Sequence, residues 1–264
     1  MIIVTGGAGF IGSNFILKFL EASNENLLNL DNLSYAANLS NLKTIDSDPR
    51  YSFSKINIQN QSEVEEIVKE VKPRAILNFA AESHVDRSIE GPESFINTNI
   101  LGTYSLLEAA LNYWNDLDES GKKIFRFFHI STDEVFGSLD INDKKSTEES
   151  SYKPNSPYSA SKAASDHLVR AWHHTFKLPT LVSNCTNNYG PHQHEEKLIP
   201  LIITKALKND NLPIYGDGKN IRDWLYVEDH CEAIMKILEN GNPGETYNIG
   251  GNCEKNNLEV VSEI

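Results

Sequence analysis

Cysteine is scarce in this sequence. Only Cys185, Cys231 and Cys253 occur among its 264 residues, far apart and never in CxxC spacing. An odd number of separated cysteines argues against a disulfide scaffold or a cysteine zinc site and favours reduced thiols, so we expect a cytoplasmic protein. The HExxH pattern is absent, and the close pair His192 and His194 reads as part of a polar loop. We therefore predict no metal site.

Positive charge and long apolar runs are also lacking. The formal net charge of -13 argues against a nucleic-acid groove or an anionic membrane surface as partner. The sequence has no stretch of about 18 apolar residues, and its first residues lack the basic and apolar regions of a signal peptide. Hydrophobic residues still make up 39% of the chain, which is enough to bury a sizeable core.

What the sequence does contain is an alternation of strand-like and helix-like segments. Short apolar or β-branched runs predict strands, and apolar residues at helical spacing predict helices. The predicted strands are residues 2–5, 27–30, 51–58, 75–79, 125–130 and 180–183, and the predicted helices are residues 11–21, 63–71, 92–114 and 156–172. This alternation predicts an α/β fold, a doubly wound parallel sheet of the Rossmann type.

The pattern changes beyond about residue 187. Proline, glycine and asparagine recur and the elements shorten to residues 197–208, 212–215 and 227–238, whereas residues 140–155 form a polar loop. We predict a dinucleotide-binding Rossmann domain over residues 1–186. Residues 187–264 are expected to form a smaller substrate-binding lobe that partly returns to the sheet. Asn256-Asn257 followed by an apolar stripe predicts one more helix start.

A glycine-rich loop follows the first predicted strand and opens the first predicted helix. Gly6, Gly9 and Gly12 have the spacing that lets the backbone approach a pyrophosphate at a helix N-terminus. Asp31 closes the next strand, where a carboxylate accepts hydrogen bonds from an adenosine ribose and repels a 2′-phosphate. The arrangement predicts a dinucleotide site that favours NAD over NADP. The alternative is a plain glycine turn with Asp31 as a helix cap.

A tyrosine and a lysine suggest proton chemistry. Tyr158 and Lys162 are about one helical turn apart and share a face of the predicted helix. A lysine ammonium beside a phenol favours the phenolate, which can accept a proton near neutral pH. Asp133 and Glu134 offer an acid and a base for a second proton transfer. An isolated pattern this short more often marks a surface helix, so the interpretation depends on the rest of the chain.

Several motifs together resemble one enzyme family. They are residues 5–13, 80–88 (AAESHVDRS), 99–103 (NILGT), 131–137 (STDEVFG), 156–162 (SPYSASK), 187–191 (NNYGP), 196–200 (EKLIP) and 221–224 (IRDW). The glycine loop and YxxxK are typical of the extended short-chain dehydrogenase/reductase superfamily. The Thr-Asp-Glu triplet at residues 132–134 is typical of the dTDP-glucose 4,6-dehydratase family of deoxysugar biosynthesis. The chain resembles that family along its whole length.

The resemblance implies an activity and a mechanism. The implied enzyme is a lyase that converts dTDP-glucose to dTDP-4-keto-6-deoxyglucose with bound NAD. Tyr158, tuned by Lys162, would take the proton of the glucose 4-hydroxyl, while Thr132 hydrogen-bonds the same oxygen. Glu134 would remove the proton at C5, and protonated Asp133 would help the 6-hydroxyl leave as water.

The resemblance also implies two sets of binding residues. Those for NAD are Gly6, Gly9, Phe10, Ile11, Gly12, Asp31, Asn32, Leu33, Ser34, Asn57, Ile58, Phe79, Ala80, Ala81, Ser83, Thr98, Tyr158, Lys162 and Asn188. Those for dTDP-glucose are Ser83, Thr132, Asn187, Lys197, Leu198, Pro213, Ile214, Tyr215, Arg222 and Asn257. Arg222 suits a diphosphate because a guanidinium holds phosphate oxygens bidentately.

The chain departs from the family pattern in three respects. Asn57 stands where aspartate is common, although an amide carbonyl can still accept a hydrogen bond from the adenine amino group. His194-Glu195 replaces a typical Phe-Pro. Family members also continue for several dozen residues beyond the position of Ile264, so we expect a truncated chain that lacks part of the substrate lobe.

Three alternative functions and one question of assembly stay open. A sugar-nucleotide 4-epimerase or decarboxylase of the same superfamily would need Tyr158, Lys162 and NAD but not the acidic pair. A dehydratase of another nucleotide sugar is a second alternative, and a non-catalytic NAD-binding module is a third. The helices at residues 92–114 and 158–176 carry apolar residues on more than one face, which predicts a homodimer, unless both faces are buried within one subunit.

Overall fold

The computed structural model describes residues 1–140, 143–214 and 216–264, which form a seven-stranded parallel sheet between helical layers and a separate three-stranded sheet. The strands are β1 (Ile2–Thr5), β2 (Leu27–Asp31), β3 (Tyr51–Lys55), β4 (Ala75–Asn78), β5 (Arg126–Thr132), β6 (Thr180–Cys185), β7 (Asn187–Tyr189), β8 (Ile221–Tyr226), β9 (Thr246–Ile249) and β10 (Glu254–Asn256). The predicted α/β fold with a doubly wound parallel sheet is confirmed.

The order of the strands determines where a ligand can bind. The main sheet runs β3-β2-β1-β4-β5-β6-β9 with every neighbouring pair parallel, and β1 lies between β2 and β4. The chain therefore reverses its direction of travel across the sheet at the boundary between β1 and β4. In open parallel sheets, ligands bind outside the carboxyl ends of the strands at this switch point.

Helices cover both faces of the sheet. They are α1 (Phe10–Ala22), α2 (Gln61–Val71), α3 (Val85–Glu90), α4 (Pro92–Phe95), α5 (Thr103–Asn115), α6 (Glu119–Ile124), α7 (Pro157–Phe176), α8 (Leu198–Leu207), α9 (Val227–Asn240) and α10 (Asn257–Glu263). Residues of α1 and α9 belong to the core on one face of the sheet, and residues of α2, α5 and α7 belong to the core on the other. Among the described residues, no helix is long and apolar enough to cross a membrane.

The core follows from the alternation of side chains along the central strands. All residues of β1, β2 and β4 are buried, as expected for parallel strands covered on both faces. On β5, Phe127 contributes to the core on one face and Phe128 to the core on the other, because successive side chains point to opposite faces. The two clusters therefore pack the sheet against helices on both of its faces.

Local signals explain where α7 begins and ends. The Ser156 hydroxyl accepts a hydrogen bond from the Ser159 amide, and the Ser159 hydroxyl accepts one from the Ser156 amide, which forms a capping box. Pro157 occupies the first helical position, where its missing N–H costs nothing. The helix ends at Lys177, whose φ of 62° lies in the left-handed region. The sequence prediction of 156–172 therefore ended this helix one turn too early.

The structure differs from the sequence prediction in several further elements. Residues 92–114 are not one α-helix, because the π-helical segment Ile96–Gly102 separates α4 from α5. Strand β3 ends at Lys55, and residues 212–214 form neither helix nor strand; Tyr215 lies outside the described residues. Short elements were missed: α3, α6, β7, β8, β9, β10 and the 3-10 helices Leu39–Ile45 and Asp133–Phe136.

The chain beyond residue 187 contributes to both sheets. Strand β9 extends the main sheet by pairing with β6, whereas β10, β8 and β7 form the small sheet. Helix α10 starts as expected, since Asn256 caps it and forms a capping box with Glu259. The proposed division into residues 1–186 and 187–264 stays a prediction.

Candidate active site

A cleft opens at the carboxyl ends of β1, β2, β4 and β5, at the switch point of the sheet. It is lined by the glycine loop, the segments after these strands, helix α7 and the segment between β7 and α8. The predicted site residues that line it are Gly6, Gly9, Phe10, Ile11, Gly12, Asp31, Asn32, Ser34, Ile58, Phe79, Ala80, Ala81, Ser83, Thr98, Thr132, Glu134, Tyr158, Lys162, Asn187, Asn188 and Lys197. Residues far apart in the sequence thus meet in one place.

Other predicted site residues lie outside this lining. They are Leu33, Asn57, Asp133, Leu198, Pro213, Ile214, Arg222 and Asn257. The Leu33 amide instead donates to Asp31 Oδ1 at 2.8 Å, and Asn57 Oδ1 accepts from the Gln59 amide at 3.0 Å. Pro213 and Ile214 are exposed, and Tyr215 is not among the described residues. The binding roles of this group stay predictions.

The glycine loop contributes only backbone atoms to the cleft, because Gly6, Gly9 and Gly12 have no side chains. Gly6 has a φ of +69°, and a β-carbon there would lie 2.6 Å from the Ala80 amide nitrogen. A β-carbon on Gly12 would collide with the Gly6 carbonyl oxygen. No side chain caps the first turn of α1, whose Phe10 and Ile11 line the cleft. Uncapped amides at a helix N-terminus suit a pyrophosphate, so this cradle fits a dinucleotide.

Asp31 connects the glycine loop to the segment that follows β2. Its carboxylate accepts from the Ala8 amide at 2.9 Å and from the Leu33 amide at 2.8 Å. Burial raises the pKa of Asp31, and these two backbone hydrogen bonds act in the opposite direction. Because Asp31 is not a helix cap in the structure and does line the cleft, its placement is compatible with the predicted contact to a ribose.

The opposite side of the cleft carries the ionisable groups. Strand β5 ends at Thr132 and continues directly into the 3-10 helix Asp133–Phe136. The Thr132 hydroxyl donates to Asp133 Oδ1 at 3.3 Å and accepts from the Glu134 amide at 3.3 Å. The Tyr158 hydroxyl, from α7, lies beside Thr132. One tight turn therefore places two carboxyl groups next to the phenol.

The two carboxyl groups have different surroundings. Burial and then the neighbouring Glu134 charge raise the pKa of Asp133 to about 6. Burial also raises the pKa of Glu134, but the positive charges of Arg222 and Lys197 counteract it. Arg222 is therefore close to the acidic pair, although it does not line the cleft. Both pKa values are raised, and only that of Glu134 is opposed by two neighbouring cations, so Asp133 is the better candidate for the acid and Glu134 for the base.

The pKa of Tyr158 differs from the sequence expectation. Tyr158 is 9% exposed, and burial together with the Glu134 charge raises its pKa well above the ordinary value. Lys162 is 3% exposed and donates from Nζ to the Ile130 carbonyl at 2.8 Å, and burial lowers its pKa. For the protein by itself, burial and the carboxylate charges therefore disfavour the phenolate, and the expected assistance from Lys162 stays a prediction.

One cluster in the cleft was missed by the sequence analysis. The Tyr35 hydroxyl donates to Glu196 Oε1 at 3.2 Å, and the Arg87 guanidinium lies 3.7 Å from the centre of the Tyr35 ring. His84 and His194 each lie 3.6 Å from Glu196. Tyr35, His194 and Glu196 line the cleft, so the cluster connects its two sides. Glu196 opens the quoted EKLIP motif, which was the available signal. Among the described residues, no cluster of potential metal ligands occurs.

The parallel sheet, the glycine cradle and the Tyr158–Lys162 pair define the class: an extended short-chain dehydrogenase/reductase. A family model described as GDP-mannose 4,6 dehydratase matches residues 3–264. The dTDP-glucose 4,6-dehydratase of Haemophilus influenzae is 56% identical over 263 residues, which are 100% of this chain and 78% of that protein.

Solved structures agree with this match. The dTDP-glucose 4,6-dehydratase from Bacillus anthracis in complex with NAD gives a TM-score of 0.90 at 48% identity, over 99% of this chain and 79% of that one. The dTDP-glucose 4,6-dehydratase from Streptomyces venezuelae, also with NAD bound, gives 0.92 at 44% identity, with the same coverage of 99% and 79%. The chain belongs to the family of dTDP-glucose 4,6-dehydratases, as the resemblance indicated.

Proposed function

We propose that this protein is a hydro-lyase that converts dTDP-glucose to dTDP-4-keto-6-deoxyglucose with NAD bound in the cleft. The observation that carries the proposal is the placement of Thr132, Asp133 and Glu134 beside Tyr158. A dehydrogenase or an epimerase needs the phenol, but only an elimination needs an additional acid and base. The family membership supports the same conclusion.

The proposal assigns the dinucleotide to the glycine cradle and the adjoining cleft. The uncapped first turn of α1 would hold the pyrophosphate, and Asp31 would bond the adenosine ribose. Asn188 and Lys162 line the far end of the cleft, near Tyr158. When bound, the nicotinamide would supply a reversible hydride acceptor, which takes the hydride of C4 and gives it back at C6 after water has left, while C5 regains a proton.

The chain's own residues would perform the proton transfers. Tyr158 accepts the proton of the 4-hydroxyl, and Thr132 orients that oxygen. A ketone at C4 acidifies the proton at C5, which Glu134 removes; Arg222 and Lys197 favour its ionised form. Asp133, whose pKa is raised to about 6, keeps a sizeable protonated fraction near neutral pH and donates to the departing 6-hydroxyl.

The activity can be tested directly. The protein is incubated with NAD and dTDP-glucose, and the 4-keto product is measured by its absorbance in alkali and by the mass loss of one water. UDP-glucose and GDP-mannose serve as comparison substrates. We expect product from dTDP-glucose above all. A product of unchanged mass, inverted at C4, would instead identify an epimerase, and turnover of another nucleotide sugar alone would correct the base.

The matched variant Glu134→Gln tests the role of the acidic pair. It should still oxidise C4, which is seen as accumulation of reduced cofactor, but eliminate water about 10²–10⁴-fold more slowly, the usual range for losing a general base. Full elimination in Glu134→Gln would refute the assignment of this residue.

The proposal includes a homodimer in a cytoplasmic setting. Large apolar side chains are exposed on the two predicted pairing helices and their neighbours: Ile89, Ile96, Leu101, Tyr104 and Phe176. All three cysteines are free, which supports a reducing compartment. Light scattering should give the mass of two subunits, and Leu101→Glu should reduce it. The control Leu207→Glu changes an exposed leucine on α8 and should leave the mass unchanged.

A further inference from the structure

Behind Lys162 lies a buried polar network that the mechanism above does not use. Asp166 follows Lys162 by one turn of α7 and is 3% exposed. Its Oδ2 accepts from the Ser131 hydroxyl at 2.9 Å, the Tyr152 hydroxyl at 3.0 Å and the Asn184 amide at 3.1 Å. Three donors on one oxygen hold the carboxylate in a single orientation.

The second oxygen of Asp166 faces a histidine. Asp166 Oδ1 lies 3.4 Å from His129 Nε2, and the same nitrogen lies 3.4 Å from Lys162 Nζ. Both charged groups are thus neighbours of one imidazole that is 1% exposed. A buried ammonium without a nearby anion would lose its proton, because burial penalises the charged form.

The hydrogen bonds around His129 assign its proton. Asn78 Oδ1 accepts from the Thr5 hydroxyl at 2.7 Å, so the Asn78 amide nitrogen is the atom that donates to His129 Nδ1 at 3.1 Å. His129 is neutral near neutral pH, since burial and the Lys162 charge lower its pKa to about 4. Nδ1 is therefore the acceptor and Nε2 carries the proton, and Asp166 Oδ1, which accepts no other hydrogen bond, lies 3.4 Å from that nitrogen.

We propose that Asp166 is a positioning residue that keeps Lys162 protonated beside Tyr158, and that neutral His129 orients the Asp166 carboxylate for this task. Tyr158, Lys162 and Asp166 recur every four residues and lie on one face of α7. Asp166 favours the protonated form of Lys162. The Lys162 ammonium in turn favours the Tyr158 phenolate, against the carboxylate charges of Asp133 and Glu134 that disfavour it. The expected change in kcat/KM rests on the proposed function, whereas the expected change in the titration of Lys162 does not.

Other ionisable groups surround this site and contribute to any pH profile. They are His129 from β5, Asp133 and Glu134 from the 3-10 helix, Cys185 from β6, Tyr152 from the loop before α7 and Arg170 from α7 itself. Two groups act against burial and raise the pKa of Lys162, Asp166 first and then Cys185. Removal of the Asp166 charge should therefore lower the pKa of Lys162, and it should also act on His129 and Tyr152.

The direct test is the titration of Lys162 without cofactor or substrate. Protein labelled with ¹³C at the lysine ε-carbon is titrated by NMR, and Lys162→Met identifies the resonance. In Asp166→Asn we expect the Lys162 midpoint to fall by about one pH unit or more, the usual effect of an opposite charge at this range. The control Tyr152→Phe removes a donor to the same carboxylate but keeps its charge, and should titrate like the unmodified protein.

A kinetic measurement completes the test. In Asp166→Asn the acid limb of kcat/KM should move to higher pH, because Lys162 becomes neutral at a lower pH and the phenolate then lacks its cationic neighbour at every pH above the lowered Lys162 midpoint. A Lys162 midpoint that is unchanged in Asp166→Asn would overturn the inference and leave Asp166 a structural residue. If Asp166→Asn does not fold, the same titration is carried out on His129→Asn. A smaller fall of the Lys162 midpoint is expected in that variant, and an unchanged midpoint would again contradict the inference. An unmodified protein inactive on dTDP-glucose would refute the proposed function but not the lysine result.

Discussion

The two sides of the cleft are built on different principles. On the side of β1 and α1, the cleft presents backbone: glycines without room for a β-carbon and amides at the start of a helix. On the side of β5 and α7, it presents buried ionisable side chains, with Thr132, Glu134, Tyr158 and Lys162 all lining the cleft. The first side is suited to recognising a ligand by shape, and the second is suited to chemistry that depends on charge.

The two sides should therefore tolerate different substitutions. A backbone cradle is insensitive to charge but fails when volume is added. In a cluster of buried titratable groups, an isosteric replacement preserves the packing. The same replacement abolishes the proton transfer when it removes a proton or a charge. Matched substitutions on the two sides should therefore separate binding and stability from turnover.

The largest effect is expected from Tyr158→Phe on the charge side. It removes the proton acceptor and keeps the ring that packs edge-on against Phe95, 6.3 Å away. Turnover should fall about 10³-fold, within the range for losing a general base, while the melting temperature and bound NAD stay unchanged. The control Tyr51→Phe removes a hydroxyl that accepts from Asn29, outside the cleft, and should keep full turnover. Equal turnover in both variants would contradict the assignment.

The next effect is expected from Gly12→Ala on the backbone side. The added carbon collides with the Gly6 carbonyl, so the loop must shift. Overpacking of this kind costs about 1–3 kcal/mol and should also lower the NAD content of the purified protein. Gly91→Ala is the control, since a β-carbon there would meet only the Arg87 carbonyl at 3.9 Å. Urea unfolding and cofactor content decide; a Gly12→Ala variant as stable as Gly91→Ala would break the comparison.

The smallest effect is expected from Asp133→Asn, and it has the opposite sign. Burial raises the pKa of Asp133 from 3.8 to about 6, so the folded protein binds more protons than the unfolded chain between these values. Its contribution to the free energy of unfolding therefore decreases as pH rises through this window. At pH 7 the amide should be more stable than the acid by no more than about 3 kcal/mol, because one pH unit corresponds to about 1.4 kcal/mol and the pKa rises from 3.8 to about 6.

Urea unfolding at acidic and neutral pH checks this expectation. The advantage of Asp133→Asn should disappear below about pH 4, where the carboxyl is protonated in both states. Glu134→Gln should show the same sign, since burial raises that pKa too. An amide variant less stable than the unmodified protein at neutral pH would show that its hydrogen bond to Thr132 outweighs the cost of the buried charge.

The sequence predicted the parts of the molecule in which local signals and tertiary structure agree. Strands β1, β2 and β4 are continuous apolar runs because helices cover both faces, and α1 follows a loop that only glycine allows. The small sheet was missed because β7 and β10 have three residues each and β8 begins with exposed residues. Such strands are defined by their partners and not by their own periodicity.

The sequence predicted which residues form the site better than it predicted their pKa values. Spacing placed Tyr158 and Lys162 on one face of a helix, and a motif indicated the acidic pair. No spacing rule reveals how deeply a group is buried, and burial is the first cause of the raised pKa values of Tyr158, Asp133 and Glu134. The contact between Tyr35 and Glu196 joins residues 161 positions apart, so it could not be read from local sequence.

The π-helical segment Ile96–Gly102 makes the number of residues between α4 and α5 important for the site. Within it, Asn99 donates to the Ser161 hydroxyl at 2.8 Å and exchanges hydrogen bonds with the backbone of Glu82 at 2.8 and 3.0 Å. A π turn holds an extra residue relative to an α turn, and each helical residue turns the chain by about 100°. Deletion of one residue here would yield a more regular helix whose asparagine points away from both partners. Substitutions in this segment can keep its length, whereas a deletion would break the hydrogen bonds that connect it to Glu82 and Ser161 beside the cleft.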